Sequence, residues 1–390
     1  MSDGARGGRP LGSRPTLRKA LIGAGIALGA AAVGVAVERY AVRRARSRPD
    51  PERGESLGER PGSEQRVKSF DGTELAVNVI GPEGAPTLVF AHGITLDMTA
   101  WHFQWRDLSD EYRCVLYDQR GHGRSAKAAN GDYSLEALGR DLKAVLDATG
   151  TEAPVVFVGH SMGGMSIVSF AELFPEEFGT RIQAVVLANT AAADVVKEVL
   201  GGLAARVGKF LLPTPKRFLS KPERAFWVRS GALGLSPDIA FLVVRMTNFG
   251  SGASPSVVDH VASIAGQAPA EVWTDLIVSV AEINLSHALE HITVPTLVLV
   301  GDVDRLTPPA SALAVKRKLP KGKMVVLRDA GHCAMLERHD LFNRALRDFL
   351  RGALPMAAAA TEGDGEGPSA VHGGRRRTPA SPAKVRGAST

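Results

Sequence analysis

The sequence predicts an α/β fold: a doubly wound, mostly parallel sheet that opens with an antiparallel N-terminal hairpin and carries a helical cap insertion. Three observations lead there. Short apolar runs without polar alternation recur along the chain, as strands covered on both faces require. Segments of helical spacing stand between them, and the alternation of the two kinds repeats as it does in open α/β sheets. One stretch of about a hundred residues, from Ala191 to His291, breaks this rhythm.

The hairpin comes first: "RVKSF", a turn at Asp71-Gly72, then "ELAVNVI". The apolar runs follow as "TLVFA" (87–91), "YRCVLY" (112–117), "PVVFVG" (154–159), "IQAVVLA" (182–188), "PTLVLV" (295–300) and "KMVVL" (323–327). Between the second and third of these, Leu135, Leu138, Leu142, Val145 and Leu146 keep helical spacing, with Ser134 at the expected N-cap. The break at 191–291 reads as helices punctuated by "LLPTP", "LSKPE" and "FGSGASP". Insertions at the carboxyl ends of strands sit over the ligand crevice of such sheets, so 191–291 is expected to be a helical cap on a core of 66–190 and 292–352.

The two ends have other compositions. The net charge of +6 hints at nucleic acid, but 12 Lys and Arg stand against 6 Asp and Glu in residues 1–60, and 6 against 3 in residues 351–390. That leaves 29 against 32 in the body, which weakens a nucleic-acid reading. After a basic segment, 1–19, residues 20–37 pass without a charge, and 18 residues of helix span about 27 Å against a hydrocarbon core of about 30 Å. Three readings stand: an uncleaved membrane anchor, a cleaved signal that would make the protein secreted, and an amphiphilic helix. Arg39, Arg43, Arg44, Arg46 and Arg48 follow at once and favour the anchor, while five basic residues on each side leave its orientation open. Residues 38–65 read as a linker and 353–390 as a disordered tail, with too little apolar surface to offset ordering. Cys114 and Cys333 lie far apart without a CxxC pair and read as free thiols. No motif such as HExxH suggests a metal, and no cofactor is called for.

The chemistry centres on "VVFVGHSMGGMSIV". Ser161 lies in Gly159-His160-Ser161-Met162-Gly163, between an apolar run and a helical one, which makes a sharp strand-to-helix turn able to lift a side chain above the sheet. A serine hydroxyl needs a base, and the base needs an orienting acid. His332 in "RDAGHCAMLER" stands just past the last strand. The preceding strand ends in "VLVGDVDRLTPP", which offers Asp304, favoured because its loop turns before Pro308, and Asp302 as the fallback. Two backbone N–H groups would hold an oxyanion: Met162, at a helix N-terminus, and Ile94, in the loop "HGIT".

The set "HGIT" (92–95), "DQRGHGRS" (118–125), "GHSMGG" (159–164), "GDVDRLTP" (301–308) and "AGHCAMLE" (330–337) resembles the α/β-hydrolase fold superfamily, in order and approximate spacing, from about residue 66 to 350. The resemblance implies a triad of Ser161, Asp304 and His332 acting through an acyl-enzyme, in a serine hydrolase that cleaves a carboxylic ester of a small-molecule substrate. Similar motifs occur in carboxylesterases, monoacylglycerol-lipase-like enzymes, enol-lactonases, C–C hydrolases and cofactor-free haloperoxidases or perhydrolases, and these stay open as alternatives. A non-catalytic binding protein on the same fold is the reading from another class. The apolar cap segments "KFLLP", "RAFWV" and "IAFLVV" favour a hydrophobic or acyl substrate.

Plainer roles are expected nearby. His160 is expected to pack, His122 to order its loop and His92 to stabilise the oxyanion loop. Asp118 and Arg120 would form a structural ion pair or a cap, Trp101 and Trp105 would lie in the core, and Asp259-His260 only mimics a dyad.

Overall fold

The computed structural model describes residues 36–193, 237–281 and 284–354 of the chain. One eight-stranded sheet runs in the order β1-β2-β4-β3-β5-β6-β7-β8. The strands are β1 Ser63–Lys68, β2 Glu74–Ile80, β3 Thr87–Ala91, β4 Arg113–Tyr117, β5 Val155–His160, β6 Ile182–Ala188, β7 Thr296–Gly301 and β8 Gly322–Leu327. β2 is antiparallel to β1 and β4, and all other pairs are parallel, as the apolar runs predict. The hairpin turns at Gly72, whose φ of +86° is a conformation that side chains disfavour.

Residues 36–46 form α1. Then come α2 His102–Leu108, α3 Leu135–Ala148, α4 Met162–Leu173, α5 Pro237–Asn248, α6 Pro255–Gln267, α7 Ala270–Ala281, α8 Pro309–Lys318 and α9 His339–Ala353. The helices α3, α4 and α8 cover one face of the sheet and α2 and α9 the other. Alternate residues of β3 accordingly feed different cores: Leu88 and Phe90 join one, Val89 and Ala91 the other. Helix α3 begins as predicted, with the Ser134 hydroxyl accepting from Ala137 N–H.

The insertion leaves the sheet after β6 and returns before β7. Ala193 and Asn284 pair across its neck, and Leu285 N–H donates to Ala192 O at 2.8 Å. Helices α5 to α7 follow within it, while the expected cap segments "KFLLP" and "RAFWV" lie outside the described residues. In "IAFLVV", Phe241 is fully buried in the core, so part of that apolar content serves packing.

The stretch expected to be a linker, 38–65, is instead docked along the body. Val42, Ala45 and Leu57 are buried, Arg46 pairs with Asp259 at 3.0 Å, and Asp50 accepts from the Ser256 hydroxyl at 2.8 Å. Composition marks such a segment as irregular but says nothing of the partners its charges find. Residues 20–35 of the expected anchor and 355–390 of the expected tail lie outside the described residues, and Ala353 ends α9. Among the described residues no helix is long and apolar enough to cross a membrane.

Candidate active site

The carboxyl ends of β3, β5, β6, β7 and β8 converge on Ser161. It follows β5 directly, with φ 53° and ψ −119°, a region that non-glycine residues avoid. Hydrogen bonds to its backbone hold it there. Its N–H donates to Ala188 O at 3.0 Å, and its carbonyl accepts from Gly164 N–H at 2.9 Å and from the Thr190 hydroxyl at 2.7 Å. The glycines of the turn are steric requirements: a Cβ on Gly163 would stand 2.1 Å from Ala91 O, and one on Gly159 2.6 Å from Gly163 O.

His332 meets Asp304 where sequence order places them. His332 Nδ1 donates to Asp304 Oδ2 at 3.0 Å, which leaves Nε2 of the neutral ring as the basic nitrogen. Asp304 also accepts from Asn189 Nδ2 at 2.8 Å, from Leu306 and Thr307 N–H at 2.8 and 3.1 Å, and from the Thr307 hydroxyl at 2.8 Å. Burial opposes its ionised form, but the His332 charge and these bonds prevail and hold its carboxyl well below the usual carboxylate range. Asp302 turns away and accepts from Ala330 N–H at 3.3 Å, so the fallback acid does not reach His332.

The loop after β3 abuts the elbow: a Cβ on Gly93 would lie 3.2 Å from Ser161 Cβ. Met162 opens α4. Neither the Ile94 nor the Met162 N–H has a hydrogen-bond partner among the described residues. The loop itself is fixed through two neutral histidines. His92 Nε2 accepts from Gln119 N–H at 2.9 Å and its Nδ1 donates to Gly93 O at 2.8 Å, while His122 Nε2 accepts from Thr95 N–H at 3.2 Å. Burial pushes His92 down to about 4 and His122 to about 3, so neither carries charge near neutrality.

His160 packs, as expected. Its Nε2 donates to His332 O at 2.8 Å, its ring lies 4.8 Å from that of His332, and burial pushes it down to about 3. Trp101 is fully buried edge-on to His160, and Trp105 is buried as well. Asp259 pairs with Arg46 and His260 Nε2 meets the Thr99 hydroxyl at 3.0 Å, so the two form no dyad. Both cysteines are free and buried.

Of the ion pair or cap expected of Asp118 and Arg120, the pair between the two is not formed, whereas Asp118 makes a capping contact, its Oδ1 accepting from Met98 N–H at 2.8 Å. Arg120 instead takes Asp141 in two hydrogen bonds of 2.6 Å, and Asp118 takes Arg60 at 2.7 Å. Both lie past the end of β4, where Asp118 meets Arg60 and Met98 N–H while Arg120 meets Asp141 of α3. Sequence reasoning also missed two groups around the histidine loop. Asn189 bridges Asp304 and Gly331 O, and Glu337 accepts from Gly331 and Gly250 N–H, both at 2.8 Å. Glu337 stands inside the quoted stretch "AGHCAMLE" that carries His332, whereas nothing in the sequence marks Asn189.

The family pattern described as the alpha/beta hydrolase fold matches residues 86–339, and the chain belongs to that family. It is an enzyme of that fold class. Over 282 residues it is 28% identical to 3-oxoadipate enol-lactonase 2 of Acinetobacter baylyi, a match covering 71% of this chain and 94% of that protein. Over 293 residues it is 27% identical to a bifunctional esterase/perhydrolase of Acinetobacter calcoaceticus, covering 73% and 99%. Among solved structures, a thermophilic esterase from Thermogutta terrifontis superposes with a TM-score of 0.60 at 26% identity, covering 75% of this chain and 99% of that one.

Proposed function

We propose that the protein is a serine hydrolase that cleaves carboxylic esters of small, largely apolar substrates through an acyl-enzyme. Ser161 attacks the carbonyl, His332 Nε2 takes its proton, and Asp304 keeps the imidazole in the tautomer that leaves Nε2 basic. Ile94 and Met162 N–H hold the oxyanion, with the N-terminus of α4 adding its dipole. His332 then returns the proton to the leaving alcohol, and water repeats the sequence on the acyl-enzyme. The observation that carries this reading is the strained Ser161 elbow together with a buried His332–Asp304 pair of 3.0 Å, the two linked through His160, whose Nε2 donates to His332 O. The esterase and enol-lactonase relatives support the ester class.

A chain-length series of nitrophenyl esters, with wild type and Ser161→Ala, tests it. Wild type is expected to turn over acyl esters, and the variant to lose about 10³-fold or more in kcat/KM. Equal rates would remove Ser161 from the mechanism. Rates with acetate and peroxide, measured beside the ester rates, separate hydrolysis from perhydrolysis.

The same proposal places the enzyme at a membrane through residues 20–37, on their length and the arginines that follow. Recovery of the full-length chain in the soluble fraction without detergent would overturn that part.

A further inference from the structure

We propose that Arg60 is a positioning residue for the oxyanion loop, delivered by a strap that the rest of the fold does not supply. This rests on the reading of Ile94 N–H as an oxyanion donor. Arg60 lies ahead of the family match, which begins at residue 86, so neither the motifs nor the fold's own strands account for it.

The loop from His92 to Trp101 is fastened at its far end by two carboxylates. Asp118 Oδ1 accepts from Met98 N–H at 2.8 Å, and Asp97 Oδ1 accepts from Thr99 N–H at 2.9 Å, capping the single helical turn Met98–Trp101. Arg60 spans both. Its Nη1 donates to Asp118 Oδ2 at 2.7 Å and its Nη2 to Asp97 Oδ2 at 2.8 Å. The Asp118 side chain is fully buried and those of Arg60 and Asp97 are each 13% exposed, so water screens the two carboxylates poorly. Arg124 lends Asp118 only its backbone N–H, at 2.7 Å, and its guanidinium turns out to Glu64. Without Arg60, two like charges would face each other at the base of the loop. Such a pair is relieved by protonation, by water or by movement of the chain between them.

A planar guanidinium presents its donors in a rigid fork, so Nη1 and Nη2 each hold one carboxylate in set geometry, whereas the donors of an ammonium rotate on a flexible stem. The strap that carries it is itself pinned to the cap helices, with Arg46 on Asp259, Asp50 on Ser256 and the Arg48 guanidinium on Ser251 O. One short segment thus ties α6 to the loop bearing Ile94.

The test compares Arg60→Met, Arg60→Lys and Arg60→Met/Asp97→Asn with wild type in the full chain. Asn keeps the cap of the helical turn while removing one of the two charges. Removal of an oxyanion donor outright costs about 10²- to 10³-fold, so a displaced one is expected to lower kcat by about 10- to 100-fold in Arg60→Met, with KM within about threefold. Arg60→Lys is expected to fall between, and the double variant to recover most of the loss. Hydrogen exchange supplies a readout independent of turnover: the Thr95, Leu96, Met98 and Thr99 amides exchange faster in Arg60→Met while those of β5 and β7 do not. Wild-type kcat and exchange in Arg60→Met would overturn the proposal, as would loosening spread evenly over the sheet or failure of the double variant to recover. A wild type that neither hydrolyses esters nor labels at Ser161 with a fluorophosphonate would overturn the proposed function instead. The exchange comparison would then still decide whether Arg60 holds the loop.

Discussion

Asp304 gathers five donors, from Asn189, Leu306, Thr307 N–H, the Thr307 hydroxyl and His332, and in the proposed triad this crowding suits it to be the orienting acid, ionised when the imidazole charges. An Asn at 304 would keep the size of the side chain but could face His332 with an N–H. It would then stabilise the tautomer whose proton sits on Nε2. Asp304→Asn is therefore expected to lower kcat by about 10³- to 10⁴-fold with little effect on folding. Asp302→Asn, whose side chain accepts from Ala330 N–H and not from His332, is expected to stay within about threefold. Ester kinetics on the two variants side by side check this, and the reverse ranking would return Asp302 to the triad. Ser161, Asp304 and His332 were legible because a nucleophile elbow and two strand ends carry local signatures in fixed order. Asn189 and Arg60 were not, since each acts on a partner 115 or 58 positions away and nothing in its own neighbourhood marks it.

At the scale of elements, strain concentrates where strands end. Four non-glycine residues among those described have positive φ: Thr95, Ser161, Asn189 and Asp329. They follow β3, β5, β6 and β8, the loops that build the site. Propensity could not have located them, because the conformation is imposed by packing against neighbouring loops. The strands themselves were legible as continuous apolar runs, yet β8 departs from the rest. It is the edge of the sheet, and Val325 and Val326 remain exposed although their run looks as buried as the others. Arg120 shows the energetic side of element placement. Its guanidinium and the Asp141 carboxylate are both fully buried, and they join the end of β4 to α3, with Asp71 of the hairpin turn as a third partner. Arg120→Met leaves a buried carboxylate without its charge partner and is expected to cost about 3–5 kcal/mol in urea unfolding. Arg120→Met/Asp141→Leu should cost less than the single variant, because the fully buried carboxylate is gone and only Asp71, which still accepts from Thr73 N–H, loses the guanidinium. A double variant as unstable as the sum of the two singles would show that packing, and not charge, governs this junction.

Over the whole molecule, the α/β sheet and its insertion follow from periodicity, whereas the docking of residues 38–65 follows from individual ion pairs that composition hides. The pH dependence of stability is likewise a property of the assembled fold. Burial holds His92 at about 4 and His122 and His160 at about 3, while in the unfolded chain each titrates at its ordinary 6.5. Below pH 6.5 the unfolded chain therefore takes up protons that the folded one refuses, and stability falls as the pH drops through this window toward 4 and 3. Each pH unit inside it amounts to about 1.4 kcal/mol per histidine, so the loss reaches about 2 kcal/mol per histidine by pH 5. Asp304, held low, adds a loss only below its ordinary 3.8. Asp118, Asp141 and Glu337 act in the opposite sense, because burial raises them and the folded chain binds their protons first. The urea midpoint of wild type is accordingly expected to fall between pH 7 and pH 5. His122→Gln, which keeps a group able to accept from Thr95 N–H but cannot protonate, is expected to show a shallower fall even if it starts lower. Parallel slopes in the two proteins would mean that His122 is solvated in the folded state, and the loop it holds would then be looser than its hydrogen bonds imply.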